Sequence, residues 1–124
     1  MNSLNFNRLM YDYSEDIDVL YCKISRPYIY DYTIPVTPNF NIDISKRVNK
    51  IVSFELLDAS KVLGITASGL SRENMPKIKI IVEVTKDIIK VVMNILTHDN
   101  QVGGLIQKAL NENDAATGVY HYYL

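Results

Sequence analysis

Glu55 and Asp58 stand three residues apart in the run FELLDAS, and two carboxylates this close are the first candidates for chemistry. Acid and base work by such a pair needs an enclosed site that raises the pKa of one member. Here a strand-like stretch gives way to a helix start, so the pair reads instead as a strand side chain followed by a helix N-cap. Asp12, Glu15, Asp16 and Asp18 offer oxygens suited to a hard cation, yet they lack the Asp-x-Asp-x-Asp-Gly frame of a calcium loop and read as a solvated turn. His98 and His121 lie in separate elements without metal-ligand spacing. Cys22 is the only cysteine, which excludes an internal disulfide, and in DVLYCKI it reads as a small buried hydrophobe rather than a nucleophile. Gly103-Gly104 lacks the Lys-Ser/Thr or second-glycine context of a phosphate loop. No catalytic residue, metal ligand or cofactor is assigned.

The tyrosines carry the stronger binding signal. There are nine and no Trp; six fall between Tyr11 and Tyr32 and three between Tyr120 and Tyr123. In an extended backbone Tyr28, Tyr30 and Tyr32 line one face, close to Lys23 and Arg26. Aromatics beside basic residues stack single-stranded bases. The same stripe also suits a protein interface, or cross-strand packing inside the fold. The candidate binding residues are therefore Tyr28, Tyr30, Tyr32, Lys23, Arg26 and Glu55.

A chain of 124 residues with 48% hydrophobic and 22% charged residues fits one domain, 1–124, around one core. Its net charge of -1 creates no global attraction to nucleic acid or anionic lipid. Lys or Glu interrupts the apolar runs well before the ~20 residues that span a bilayer. The opening MNSLNFNRLM does not resemble a secretory signal. No membrane association and a cytoplasmic location are expected.

Along the chain, residues 4–11, 19–25, 40–45 and 51–57 alternate like strands. PYIYDYTIP, bracketed by prolines, suits an edge strand or an extended loop. At Asp58 the period lengthens, predicting a helix capped by Asp58 and ended by Gly64 or Gly69. TASGLSRENMP is the junction between a β-rich half, about 1–57, and a helical half, about 58–124. Residues 77–84 fit strand and helix equally. The apolar positions of 81–96 and of 102–110 predict two amphipathic helices, with glycines that weaken the second or permit close backbone approach. VYHYYL is strand-like or frayed. The expected fold is α+β: a two-layer sandwich in which C-terminal helices cover one face of a four- to five-stranded antiparallel sheet.

Residues 8–63 resemble a small prokaryotic family known as domain of unknown function 2283. The resemblance rests on Tyr11-Asp12, on Asp18, Leu20 and Tyr21, on Asp43, and on Glu55, Leu57, Asp58, Ala59 and Ser60. The spacing from Asp12 to Asp18 is longer than the family's, and Ser53 stands where the family tends to have Gly. The resemblance implies a β-meander followed by a helix, no established enzymatic activity, and antitoxin-like binding to protein or RNA. The expected function is a non-enzymatic protein-interaction module that binds a protein partner or self-associates as a homodimer or larger homo-oligomer. Single-stranded nucleic-acid binding is the alternative, and a small hydrolase using Glu55 and Asp58 is the third reading.

Overall fold

The computed structural model describes residues 6–25, 29, 31–46, 50–74, 76–112 and 114–124. Nine strands dominate: β1 (Phe6–Ser14), β2 (Val19–Ile24), β3 (Tyr32–Thr37), β4 (Phe40–Ser45), β5 (Lys50–Leu57), β6 (Lys77–Val84), β7 (Ile88–Leu96), β8 (Val102–Leu110) and β9 (Gly118–Tyr123). Two short helices, α1 (Ala59–Leu63) and α2 (Ala67–Leu70), and a 3-10 turn at Arg72–Asn74 fill the connection from β5 to β6. The strands form one sheet in the order β3-β4-β5-β2-β1-β9-β6-β7-β8, antiparallel except where β1 meets β9. The sheet curls until β3 approaches β8, so that it is nearly closed into a barrel.

This replaces the expected α+β two-layer sandwich. The second half of the chain supplies strands where two long helices were predicted. Ile89, Val91, Met93 and Ile95 are buried while Ile88, Lys90, Val92, Asn94 and Leu96 face outward, the period of a strand. The outward set is itself largely apolar, so steps of three and four residues arise between the two faces and imitate a helical stripe. β-Branched residues and ladders to β6 and β8 decide the outcome. The 77–84 stretch is strand throughout. The implied meander is also modified, because β2 lies between β1 and β5. β3, with Pro35, is an edge strand.

The core fills the barrel. Phe40, Phe54 and Tyr122 form an aromatic row, with the first two rings stacked at 6.4 Å and the last two edge-to-face at 5.0 Å. Tyr122 is fully buried and its hydroxyl donates to the Ile51 carbonyl at 2.7 Å. Beside it Lys50 Nζ donates to Asn7 Oδ1 at 2.5 Å, and the Asn7 amide donates to the His121 carbonyl at 3.3 Å. Burial pushes the Cys22 thiol up to about 12, as befits a packed core residue.

Helix α1 is anchored differently from the expectation. Asp58 occupies the N-cap position in a left-handed conformation (φ 53°), and its side chain makes no capping bond. The capping carboxylate is Asp18, from the β1–β2 turn. It accepts from the Ser60 amide at 3.0 Å, the Ser60 hydroxyl at 2.7 Å and the Tyr13 hydroxyl at 2.6 Å. Burial raises the Asp18 pKa, but these hydrogen bonds and the Lys61 charge outweigh it and hold the carboxyl below its ordinary value. Gly64 closes α1 in the left-handed region (φ 69°). Gly103 is required by packing: a Cβ there would lie 2.4 Å from the Leu63 carbonyl oxygen, so α1 rests directly on the β8 backbone.

Two outcomes follow. Tyr122→Phe keeps the ring and leaves the Ile51 carbonyl unpaired, which should lower stability by about 1–3 kcal/mol in urea unfolding at neutral pH. Asp18 has a depressed folded pKa, so its contribution is present above the unfolded value near ~3.9 and is lost as pH falls through the folded pKa. Asp18→Asn should therefore cost about 1 kcal/mol at pH 7 and show a shallower loss of stability in acid than the native chain.

Candidate functional site

Between β1 and β6 the sheet has a notch next to β9. The pairing of β9 with β1 covers Phe6 to Arg8, whereas β1 runs on to Ser14. On the other side β9 reaches Lys79 of β6, and the Leu124 amide donates to the Ile78 carbonyl at 2.9 Å. Beyond that point β1 and β6 are not bridged by a strand. The cavity between them measures about 510 Å³ and is lined by Arg8, Met10, Tyr11, Arg72, Pro76, Lys77 and Leu124.

Each wall has a local cause. Arg8 and Met10 point outward because Asn7 and Leu9, of opposite parity, are buried in the barrel. Tyr11 shares that inner parity, packs against the core and donates its hydroxyl to the Leu70 carbonyl, which pins the α2 segment across the end of the notch. Burial, with Cys22, Tyr13 and Asp12 adding, raises the Tyr11 phenol well above its ordinary value, so it stays a donor. The 3-10 turn brings Arg72 round, held by Asn74, whose side chain donates to the Ser68 carbonyl at 2.6 Å. A shallower recess of about 280 Å³ continues over Met10, Tyr11 and Arg72 to Asp12, Tyr21 and Lys23.

The electrostatics run against the composition. The chain carries one net negative charge, yet Arg8, Lys23, Arg72 and Lys77 converge on this surface, with Asp12 the one acidic side chain among the described lining residues. Among the described residues none of these four cations forms an ion pair. Arginine forks over an apolar floor of Met10, Pro76 and the Tyr11 ring suit a carboxylate or phosphate attached to an apolar or aromatic body.

Of the candidate binding residues Lys23 belongs to this surface, and Tyr11, Asp12 and Tyr21, which carry part of the family resemblance, line it too. Glu55 faces outward on β5, opposite Tyr21, and accepts from the Asn41 amide at 3.2 Å. Asp58 accepts from Asn39 at 3.2 Å, and neither carboxylate lines the notch. Tyr32 turns inward against the core, with Lys46 Nζ 5.8 Å from its ring centre, so it does not extend an outer aromatic stripe. Tyr28, Tyr30 and Arg26 lie outside the described residues. Arg8, Met10, Arg72 and Lys77 were not singled out by sequence, because nothing local marks them; they meet only where β1, β6 and the connection from β5 to β6 come together.

No family model, curated protein or solved structure matches the chain. Among the described residues no group of three or more His, Cys, Asp or Glu side chains is placed to hold a metal, and no helix is long and apolar enough to cross a membrane.

Tyr11→Phe tests the pinning of the notch wall. It should accelerate amide hydrogen exchange across residues 67–74 by about tenfold, corresponding to the loss of roughly 1.4 kcal/mol of local stability, while exchange in β4 and β5 stays unchanged.

Proposed function

We propose that the chain is a non-enzymatic protein-interaction module and that the notch takes an acidic, extended segment of a partner protein. The observation that carries this reading is the coincidence of an unbridged β1 edge beyond Arg8 with three unpaired cations, Arg8, Arg72 and Lys77, around the same opening. An extended segment entering there adds to the edge of β1 through main-chain hydrogen bonds, the mode in which a sheet edge recognises peptides. Its carboxylates meet the arginine forks, and its alternate side chains meet Met10 and Pro76. The antitoxin-like role implied by the family resemblance fits within this reading when the partner presents such a segment.

A second reading, single-stranded nucleic acid, has one observation in its favour. Tyr123, about half exposed, sits in register between Arg8 on β1 and Lys79 on β6, a ring flanked by cations on an outer face. Base stacking with phosphate contacts would use that row.

Fluorescence anisotropy separates the two. A labelled peptide alternating Glu with apolar residues and a labelled single-stranded RNA of equal charge are titrated at low and physiological salt. The peptide should bind the more tightly and lose less affinity than the RNA as salt rises, and Arg8→Glu with Arg72→Glu should weaken it by about a hundredfold, roughly 2.7 kcal/mol. Preferential RNA binding with a steep salt slope would transfer the function to the second reading. Binding of neither at low salt would remove both.

A further inference from the structure

The outer face of β6, β7 and β8 carries exposed aliphatic side chains on β7 and β8 between rows of polar ones, where a solvated sheet face would alternate hydrophobic-in and polar-out. Val102 is 76% exposed, and Ile106 and Leu110 are each 64% exposed. Leu96, Ile88 and Val119 are each more than 40% exposed on the same surface. Five of these six lie on β7 and β8, with Val119 on the adjoining β9, and so many large aliphatic side chains exposed on one sheet face are the kind of surface that marks an interaction site.

The registers lay this face out in rows. The central row is Ile106, Val92 and Ile81, side by side on β8, β7 and β6. One step along the strands lies Gly104, Asn94 and Lys79, and beyond it Val102 and Leu96. One step the other way lies Lys108, Lys90 and Glu83, and beyond it Leu110 and Ile88. From this layout we infer that the face is a homodimer interface, occupied by the same face of a second copy related by a two-fold axis lying along the Ile106–Val92–Ile81 row.

That operation brings the rows together in compatible pairs. The central row meets itself as aliphatic on aliphatic. Leu110 meets the partner's Val102, and Ile88 meets the partner's Leu96. In the polar rows Glu83 meets the partner's Lys79, Lys90 meets the partner's Asn94, and Lys108 lies over the partner's Gly104, where no side chain competes for space. No lysine faces a lysine. A two-fold interface requires such self-complementarity, and a patch for an unrelated partner would have no reason to possess it. The footprint, three strands wide and nine residues long, is roughly 15 by 30 Å. With the relief of its side chains it approaches the ~800 Å² per partner of a stable interface.

Static light scattering from about 10 to about 500 μM tests the inference, since an interface of this size typically holds in the micromolar range or tighter. The mass should rise from one chain to two. Ile106→Glu, at a solvent-exposed position that leaves the circular dichroism unchanged, places two carboxylates on the axis and should weaken dimerisation at least tenfold. Glu83→Lys and Lys79→Glu should each weaken it as well. The double variant, which restores opposite charges across the axis, should return close to native affinity. A native chain that stays at single-chain mass throughout, an Ile106→Glu variant that dimerises as the native chain does, or a double variant no better than the single ones would each overturn the inference.

Discussion

Everything in this fold depends on β9 pairing with two strands at once. β1 to β5 form one run of the sheet and β6 to β8 another, and β9 joins them, parallel to β1 and antiparallel to β6. The parallel contact is short, spanning Phe6 to Arg8. So few ladder bonds are a weak seam, and the seam holds because Tyr122 reaches through the core to the Ile51 carbonyl on β5 and sets its ring against Phe54. Lys50 and Asn7 brace the same region from inside, Asn7 in turn holding the His121 carbonyl of β9. The loop that this closes contains nearly the whole chain, so the joining strand is set late and at a large entropic cost, which buried aromatic packing offsets.

The notch lies beside the same join. Where the pairing of β9 with β1 stops at Arg8, the connection from β5 to β6 lies beside the gap. That connection is short helices and a 3-10 turn, stitched down by Tyr11 to Leu70 and by Asn74 to Ser68. Ser60, Thr66 and Asn74 in it bond to Asp18, Gln101 and Ser68, and Arg72 is left to line the opening. Charge accumulates at the notch because it is where sheet pairing ends.

How much of this could be read from the chain follows from which faces are wet. β2 and β4 alternate cleanly, buried against half-buried, and their strand character was legible. β7 and β8 carry apolar residues on both parities, so alternation in the sequence was erased and a false helical stripe took its place. Gly103 was legible as a place of close approach, but its neighbour, the Leu63 carbonyl, was not. Asp58 was legible as the residue before a helix; that Asp18 would cap the helix from forty-two residues away was not, since that partnership exists only once β2 has paired with β5. Of the candidate binding residues Lys23 alone lies at this surface, because its neighbours there come from β1, β6 and the connection between the two halves.

The two surfaces are not independent in space. Lys77 lines the notch and also stands beside Leu96 at one end of the β6–β7–β8 face. Under a two-fold axis through the central row, that end of one copy lies over the opposite end of the other, where the β6–β7 turn carries Thr85, Lys86 and Asp87. In the proposed dimer that turn lies over the Lys77 end of the face. The proposed dimer carries one notch at each of its two ends. Such an arrangement allows one partner with two acidic segments to be gripped twice, and the gain from tethering then exceeds anything a single notch supplies.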